Sequence, residues 1–197
     1  MMQRKLVGAL FAIFGLMRLA GAATAMPAGS VIQVSGSCTD QGRVLNPGDV
    51  VQIGDTLDVP AGGHLKLRMA DGSVISVASG SRITVANYEN VGSGRAAKLL
   101  LTQGLLRVTS VAPRFEVSTA IGTAVVGSDS ADWFIKAEAG SAQVGVLAGT
   151  VDLTSGLTGV SVSLPAHWGT RLEAARAPVL PRVWSQMEFN AVIRLTE

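Results

Sequence analysis

The sequence predicts an all-β domain in which two antiparallel sheets pack against each other, as a sandwich or as a β-solenoid-like stack. Three observations lead to this fold class. Apolar residues after position 26 recur with a period of two, which is typical of strands with one buried face. Turn signals rich in Gly, Asp and Pro separate these segments at short intervals. Between residues 30 and 180, no window offers a convincing amphipathic helix.

The clearest strand is the segment 64–69, where apolar and polar residues alternate. The segments 150–154 and 160–164 repeat this alternation, so one face of each strand is expected to be buried and the other solvated. A closed barrel is a third arrangement that such strands allow. The predicted core consists of the apolar positions that the strands turn to one side: Leu65, Leu67, Val77, Val85, Val117, Ile135, Val146, Val151 and Leu153.

An Asp-Gly pair predicts a hairpin over residues 69–74. Asp71 and Gly72 stand between two strands and would supply the positive φ that a two-residue type I′ turn requires at both central positions. A weaker signal is an internal echo between the segments 101–110 and 147–155, which each consist of an apolar strand, a glycine and a second strand. Stacked hairpins would produce such an echo, although two copies are too few to define a repeat array.

The tail, residues 181–197, differs from the rest of the chain. Proline is favourable at a first helical position, and Pro181 opens this segment. We predict a short C-terminal helix packed on the sheets, with an edge strand through Val192 and Ile193 as the alternative. The helix rests on apolar residues at a spacing of three or four: Trp184, Met187, Ala191 and Leu195.

The first 25 residues have the three parts of a secretory signal peptide. Arg4 and Lys5 precede the apolar run 6–17, and small residues lead to Ala25. The run is shorter than the roughly 20 residues that cross a bilayer, so we expect cleavage after Ala25 rather than an uncleaved anchor. The mature protein would comprise a β domain over residues 26–180 and the tail, with no membrane span, and would be periplasmic or secreted.

The charge balance argues against a nucleic-acid partner. Cleavage would remove three basic residues with the signal peptide and lower the net charge from +2 to about −1. A nucleic-acid interface needs a clustered basic face. The remaining basic residues instead appear singly among the strands, as in Lys66, Arg68, Arg107 and Lys136.

Few residues could support catalysis or bind a metal. His64 and His167 are the only histidines, and with the single cysteine, Cys38, they show no zinc-ligand spacing. We expect Cys38 to be a buried or unreactive thiol, with pairing between chains as the alternative. We assign no catalytic, cofactor-binding or metal-binding residue and expect no cofactor.

The densest polar cluster lies at residues 127–133 and contains Asp129 and Asp132. Two carboxylates can catalyse hydrolysis when they face each other across a substrate. Residues three apart before a strand do not ensure that geometry, so a solvated loop whose aspartates cap turn amides is favoured. Large aromatic residues in a small β protein belong mainly to the core, as we predict for Trp133, whereas Trp168 is the best candidate for an exposed side chain that stacks on a sugar.

Several segments, in this order along the chain, resemble the FecR-domain family, named after the ferric-citrate sensor of bacterial envelopes. The resemblance covers about residues 45–172 and implies that family's β fold. It rests on the strand, Asp-Gly-Ser turn and strand of residues 65–77, the Gly-x-Leu-Arg-Val-like step at 103–108, the central segment from Phe115 to Ile135, and the hairpin at 146–151.

The chain also departs from this family. Thr119-Ala120 and Val126-Gly127-Ser128 stand where the family commonly has Thr-Pro and Arg-Gly-Thr. Sensor members carry a cytoplasmic helical region and a membrane span before the β domain, whereas only residues 1–5 precede the apolar run here. The resemblance therefore implies the β module without the full signalling apparatus, and it supplies no catalytic residues.

Together these observations predict a non-enzymatic interaction module of the bacterial cell envelope. Its partner would be another envelope protein or a wall polysaccharide. The first alternative is an accessory regulator in a cell-surface signalling system, and the second is a hydrolase that uses the aspartate-containing loop. The identity of the ligand and the oligomeric state stay open at this point.

Overall fold

The computed structural model describes residues 27–91, 94–111, 114–127 and 130–197. The predicted signal peptide and its cleavage site lie outside them. In chain order, the elements of the described part are β1 (Pro27–Ser35), β2 (Thr39–Asp40), β3 (Arg43–Val44), β4 (Val50–Gln52), β5 (Thr56–Val59), β6 (His64–Met69), β7 (Val74–Val77), β8 (Ser81–Val91), β9 (Gly94–Ser110), β10 (Phe115–Ser118), β11 (Gly122–Val126), β12 (Ala131–Glu138), β13 (Ser141–Ala148), β14 (Thr150–Ser155), β15 (Ser161–Pro165), β16 (Trp168–Glu173), β17 (Arg182–Val183) and α1 (Gln186–Thr196).

The strands form two sheets that share β9. Sheet A has the strand order β4-β1-β6-β7-β9-β12-β13-β16-β17. Sheet B has the order β3-β2-β5-β8-β9-β10-β11-β14-β15. The predicted all-β class is confirmed, and the sheets are not closed into a barrel. One described pair, β9 with β10, runs parallel, which the sequence did not predict.

β9 can belong to both sheets because it turns at Gly104. Residues before Gly104 pair with β8 in sheet B, and those after it pair with β7 and β12 in sheet A. Gly149 stands at a second crossing, where the chain leaves β13 of sheet A for β14 of sheet B. Both glycines have positive φ, +97° and +83°. The two similar segments, 101–110 and 147–155, are therefore the places where the chain crosses from one sheet to the other. Successive hairpins alternate between the sheets, as in a solenoid.

The core lies between the two sheets, where the inward faces of their strands meet. All nine predicted core residues are fully buried, and so are Trp133 and Cys38. The Cys38 thiol donates a hydrogen bond to the carbonyl oxygen of Ser35 at 3.3 Å. Desolvation raises the pKa of Cys38, which keeps the thiol protonated and poorly nucleophilic. The prediction of a buried, unreactive cysteine is thus supported by its position.

The hairpin between β6 and β7 has the predicted place but a different turn. Strand pairing puts Leu65 opposite Val77, as the shared apolar face requires. Gly72 has a φ of +92°, but Asp71 does not have positive φ, so the predicted type I′ turn is wrong. The amide of Gly72 donates to the carbonyl of Met69 at 2.9 Å, which closes a turn with a left-handed glycine after it. The carboxylate of Asp71 accepts a hydrogen bond from the amide of Ser73 at 2.8 Å, and this bond stabilises the observed turn.

Gly72→Val is expected to lower the free energy of unfolding by about 1–3 kcal/mol, because a β-branched residue would be strained at this φ. An added Cβ would also lie 3.4 Å from a methyl group of Val111. Urea unfolding measures the effect, and Ala70→Val, an exposed position in the same turn without positive φ, serves as the control. An unshifted midpoint for Gly72→Val would contradict the strained-turn explanation.

The predicted C-terminal helix is confirmed as α1, but its buried face differs from the spacing that predicted it. Pro181 lies ahead of β17 and not at the first helical position. Phe189 and Thr196 are the buried residues of α1, whereas Met187 and Leu195 are 79% and 61% exposed. The helix packs on the outer face of sheet A, away from the main core.

Candidate interaction surface

The N-terminus of α1 is fixed by a capping box. Ser185 is the N-cap, and its hydroxyl accepts a hydrogen bond from the amide of Glu188 at 3.3 Å. The Glu188 carboxylate accepts a hydrogen bond from the amide of Ser185 at 2.8 Å, and it forms an ion pair with Arg182. The Arg182 contact, followed by the Ser185 amide, lowers the pKa of Glu188 from 4.5 to about 2. This end of the helix therefore has a defined position relative to β17.

The contribution of Glu188 to stability is expected to disappear as the pH falls from about 4.5 to about 2. A carboxyl whose pKa is lower in the folded state stabilises the fold above its unfolded-state pKa, and protonation through the folded-state pKa removes that stabilisation. The measurement is the thermal midpoint of wild type and Glu188→Gln across this range. The two midpoints should converge at low pH, and a constant difference would contradict the assignment. Because Glu188 is exposed, added salt should reduce the effect.

An aromatic cluster, defined as Phe134, Trp184 and Phe189, holds α1 against sheet A. The ring centroids of Phe134 and Trp184 are 5.4 Å apart, and that of Phe189 lies 6.4 Å from the first and 5.6 Å from the second. Such separations are favourable for tilted and edge-to-face packing. The guanidinium of Arg182 lies 5.5 Å from the Trp184 ring centroid and adds a cation–π contact.

Two glycines of neighbouring strands make room for this cluster. Gly145 of β13 pairs with Gly169 of β16. An added Cβ would be 2.4 Å from the Phe134 ring at Gly145, and 2.4 Å from the Trp184 ring nitrogen at Gly169. The rings can therefore lie directly on the backbone of the sheet. Glycine inside a strand often marks such a close approach, which is the signal that could have revealed this site in the sequence.

Exposed apolar side chains occur on β16, on β17, on the chain between these strands and on the first turn of α1. Val183 pairs with Trp168 across β16 and β17, and Trp168, the best candidate for exposure among the tryptophans, is 36% exposed. Leu180 is 88% exposed. Exposed apolar side chains that adjoin one another mark interaction sites in soluble proteins. We call this set the C-terminal patch: Trp168, Val179, Leu180, Val183 and Met187.

A shallow cleft of about 260 Å³ runs along α1, between Leu105 and Lys136 of the sheet and Glu188 and Leu195 of the helix. Small-molecule sites usually occupy about 300–1,000 Å³ and bury most of their ligand. The cleft is smaller than that range.

The basic residues that looked scattered in the sequence share the outer face of sheet A. Strand register sets Lys66 and Arg107 on either side of Ser76, in one row across three strands. Arg107 is bound to Asp132 through two hydrogen bonds of 2.9 and 2.7 Å, and that contact raises the pKa of the arginine. Lys136 forms an ion pair on the same strand. Two of the four basic residues Lys66, Arg68, Arg107 and Lys136 are therefore in ion pairs, and this face of sheet A is not strongly basic.

The FecR protein family model matches residues 55–152. The chain belongs to the FecR family. The match runs from the start of β5 into β14 and lies inside the 45–172 range over which the sequence resembles that family. It includes the crossing at Gly104 and the bidentate Arg107–Asp132 pair, whereas the C-terminal patch and α1 lie beyond it.

The FecR-family chain is similar in fold to two crystal structures of a candidate anti-sigma factor from Parabacteroides distasonis ATCC 8503. The TM-scores are 0.56 and 0.57, at 18% and 17% sequence identity. The similarity covers 70% of this chain and 64% and 63% of the solved chains, so this chain spans less than two thirds of their length. At this identity the likeness concerns the fold alone. None of the curated proteins matches the chain.

The aspartate loop does not have the predicted arrangement. Asp129 lies outside the described residues. Asp132 is a residue of β12, not of a loop, and its two carboxylate oxygens bind Arg107 instead of capping turn amides. The carboxylate is thus engaged by a structural ion pair on the outer face of sheet A.

The histidines are far from one another in the fold. His64 is half-buried in β6, and neither ring nitrogen has a hydrogen-bond partner among the described residues. His167 is exposed in the turn before β16, with its ring centroid 6.2 Å from that of Phe189. In the described ranges no group of three or more potential metal ligands occurs. No helix within those ranges is long and apolar enough to cross a membrane.

Proposed function

We propose that this FecR-family chain is a non-enzymatic regulator in cell-surface signalling that acts by binding another protein of the cell envelope. Family membership supports the regulatory role. The shared fold with a protein that is itself named as a candidate anti-sigma factor points in the same direction. The binding step rests on one observation, the exposed C-terminal patch.

The C-terminal patch has the properties of a protein-binding surface. Leu180 and Met187 expose most of their side chains, at 88% and 79%, and gain free energy when a partner removes them from water. Trp168 adds a residue type that is enriched at binding hot spots. The capping box and the aromatic cluster fix the start of α1, which carries Met187, and a fixed surface loses less entropy on binding.

The proposed site of action is the periplasm or the exterior of the cell, because residues 1–25 have the pattern of a cleaved signal peptide. N-terminal sequencing of the mature protein should then begin at Met26, in the soluble envelope fraction. Recovery of the protein with an intact Met1 in the membrane fraction would contradict this localisation.

Leu180→Asp tests the binding step. A photo-crosslinking amino acid at position 187 should give a discrete protein adduct in envelope extract, and Leu180→Asp should abolish that adduct while the thermal midpoint stays unchanged. The control is Val44→Asp, which changes a 57% exposed apolar residue of β3 at the opposite end of the domain. This variant should retain the adduct.

The regulatory role needs a separate measurement. Deletion of the gene should change the transcription of a defined set of envelope genes, and wild type or Val44→Asp should restore it. Leu180→Asp should fail to restore it. If Leu180→Asp changed neither the yield of the crosslinked adduct nor the transcription of these genes, the proposal would be contradicted.

A wall polysaccharide is the second candidate partner, because Trp168 exposes part of an indole ring that can stack on a sugar. Trp168→Ala should then abolish binding to purified cell-wall sacculi, whereas Leu180→Asp should leave it intact. Retention of the Trp168→Ala variant on sacculi would rule out this candidate.

A further inference from the structure

In the part of the chain that the structure describes, the two sheets end at four strands, and three of these are protected from pairing with another chain. β3 and β4 are two and three residues long, and β3 also carries Arg43, which is bound to Asp40 and Asp49. β17 is two residues long, and Pro178 and Pro181 precede it. Short strands, edge charges and prolines are common ways of preventing unwanted strand pairing.

The fourth edge strand, β15, carries no charged residue, and its single proline is its last residue, Pro165. It is five residues long and pairs with β14 on one side, with no strand of the described chain on the other. No charged residue occurs from Leu157 to Pro165, and Pro165 lies outside the segment from Val160 to Leu164. Val160 is 45% exposed, and Val162 is half-buried although it faces the core side. An uncharged edge with apolar side chains is a template for a further strand.

The segment from Val160 to Leu164 has nearly the same pattern in both directions, with an apolar residue at each end and centre and a serine between them. Val162 lies opposite Leu153 of β14, so the apolar residues point to the core side and the serines to solvent. An antiparallel pair of two such segments centred on Val162 sets apolar residues opposite apolar residues and serine opposite serine. Matched cross-strand pairs of this kind stabilise a sheet.

We propose that β15 pairs antiparallel with β15 of a second copy of this chain, around a two-fold axis at Val162, so that sheet B continues through the dimer. The lack of charge favours a second copy, because no like charges oppose each other across the axis. Such a contact uses the same surface of both copies and closes at two. This inference goes beyond the proposed function and does not depend on the C-terminal patch, which belongs to β16, β17 and the start of α1.

Charge variants of the two serines test the dimer and its register together. In the proposed pairing Ser161 of one copy faces Ser163 of the other. Ser161→Lys with Ser163→Lys would therefore set lysines opposite each other, and the protein should become monomeric. Ser161→Glu with Ser163→Lys would set opposite charges against each other across the axis, and the dimer should return. Both serines are exposed, and residue 163 also faces Asp152 of β14, so the lysine there is compatible with the fold.

Sedimentation equilibrium of the full chain gives the masses, and thermal unfolding checks that each variant folds. Val50→Lys, on the open edge of β4, is the matched control and should remain dimeric. Wild type that is monomeric at its highest soluble concentration would overturn the proposal, including the case in which the edge binds a strand of a different protein. A dimer that survives the double lysine change, or one that the Glu/Lys variant does not restore, would overturn it as well.

Discussion

Replacing Leu67 by alanine is expected to lower the free energy of unfolding by about 2–5 kcal/mol. Leu67 is fully buried in β6, where it faces Ile75 of β7 and Val31 of β1. Truncation removes apolar contacts and leaves a cavity between two sheets whose strands are tied to each other on both sides, so little relaxation can fill it. Urea unfolding monitored by far-ultraviolet circular dichroism gives the difference.

The control for this prediction is Leu180→Ala, which removes the same atoms from a side chain that is 88% exposed. Its effect on stability should be small, within about 0.5 kcal/mol, because solvent already surrounds the leucine. A comparable loss of unfolding free energy in both variants would mean that stability does not depend on whether the replaced leucine is buried. A loss below about 1 kcal/mol for Leu67→Ala would contradict its place in a close-packed core.

The strands and the core were predictable because their signal is local. A period of two fixes which side chains share a face, whatever the rest of the chain does. Leu65 and Leu67 are buried for this reason, and so is Trp133, which shares a face of β12 with Ile135. The family resemblance drew on the same local patterns in their order along the chain.

The turn after β6 and the face of α1 depend on contacts that the local pattern does not contain. Asp71 tolerates positive φ, but its carboxylate binds the amide of Ser73 and a different turn results. Trp184 fits a helical spacing, yet it precedes the N-cap, and its ring packs on Phe134 across the sheet. In both cases a residue that suits two conformations is fixed by a hydrogen bond or a packing contact that the pattern of apolar residues does not reveal.

The interaction surface was the least predictable part, because strand register and tertiary packing assemble it. Val183 joins Trp168 only through the pairing of β16 with β17. Of this surface, the sequence indicated only Trp168, as the best candidate for exposure among the tryptophans.

Gly104→Ala is expected to lower the free energy of unfolding by about 3 kcal/mol or more, since it combines backbone strain with overpacking. The φ of Gly104 is +97°, where residues with a Cβ are strained. An added Cβ would lie 2.1 Å from the hydroxyl oxygen of Ser81 and 2.5 Å from its Cα, so backbone would have to move. That shift would also break the hydrogen bond of 3.0 Å from the Leu105 amide to the Ser81 hydroxyl.

Gly48→Ala separates the two contributions to this loss. Gly48 has nearly the same φ, +94°, but a Cβ there would meet nothing within 4 Å, so this variant reports backbone strain alone. Gly104→Ala should therefore be less stable than Gly48→Ala by the overpacking term, about 1–3 kcal/mol. The extra loss would arise at the point where β9 passes from sheet B to sheet A, and so should be accompanied by faster amide exchange in both halves of β9. Equal losses in the two variants would mean that the crossing has room for a side chain, against the close contact with Ser81.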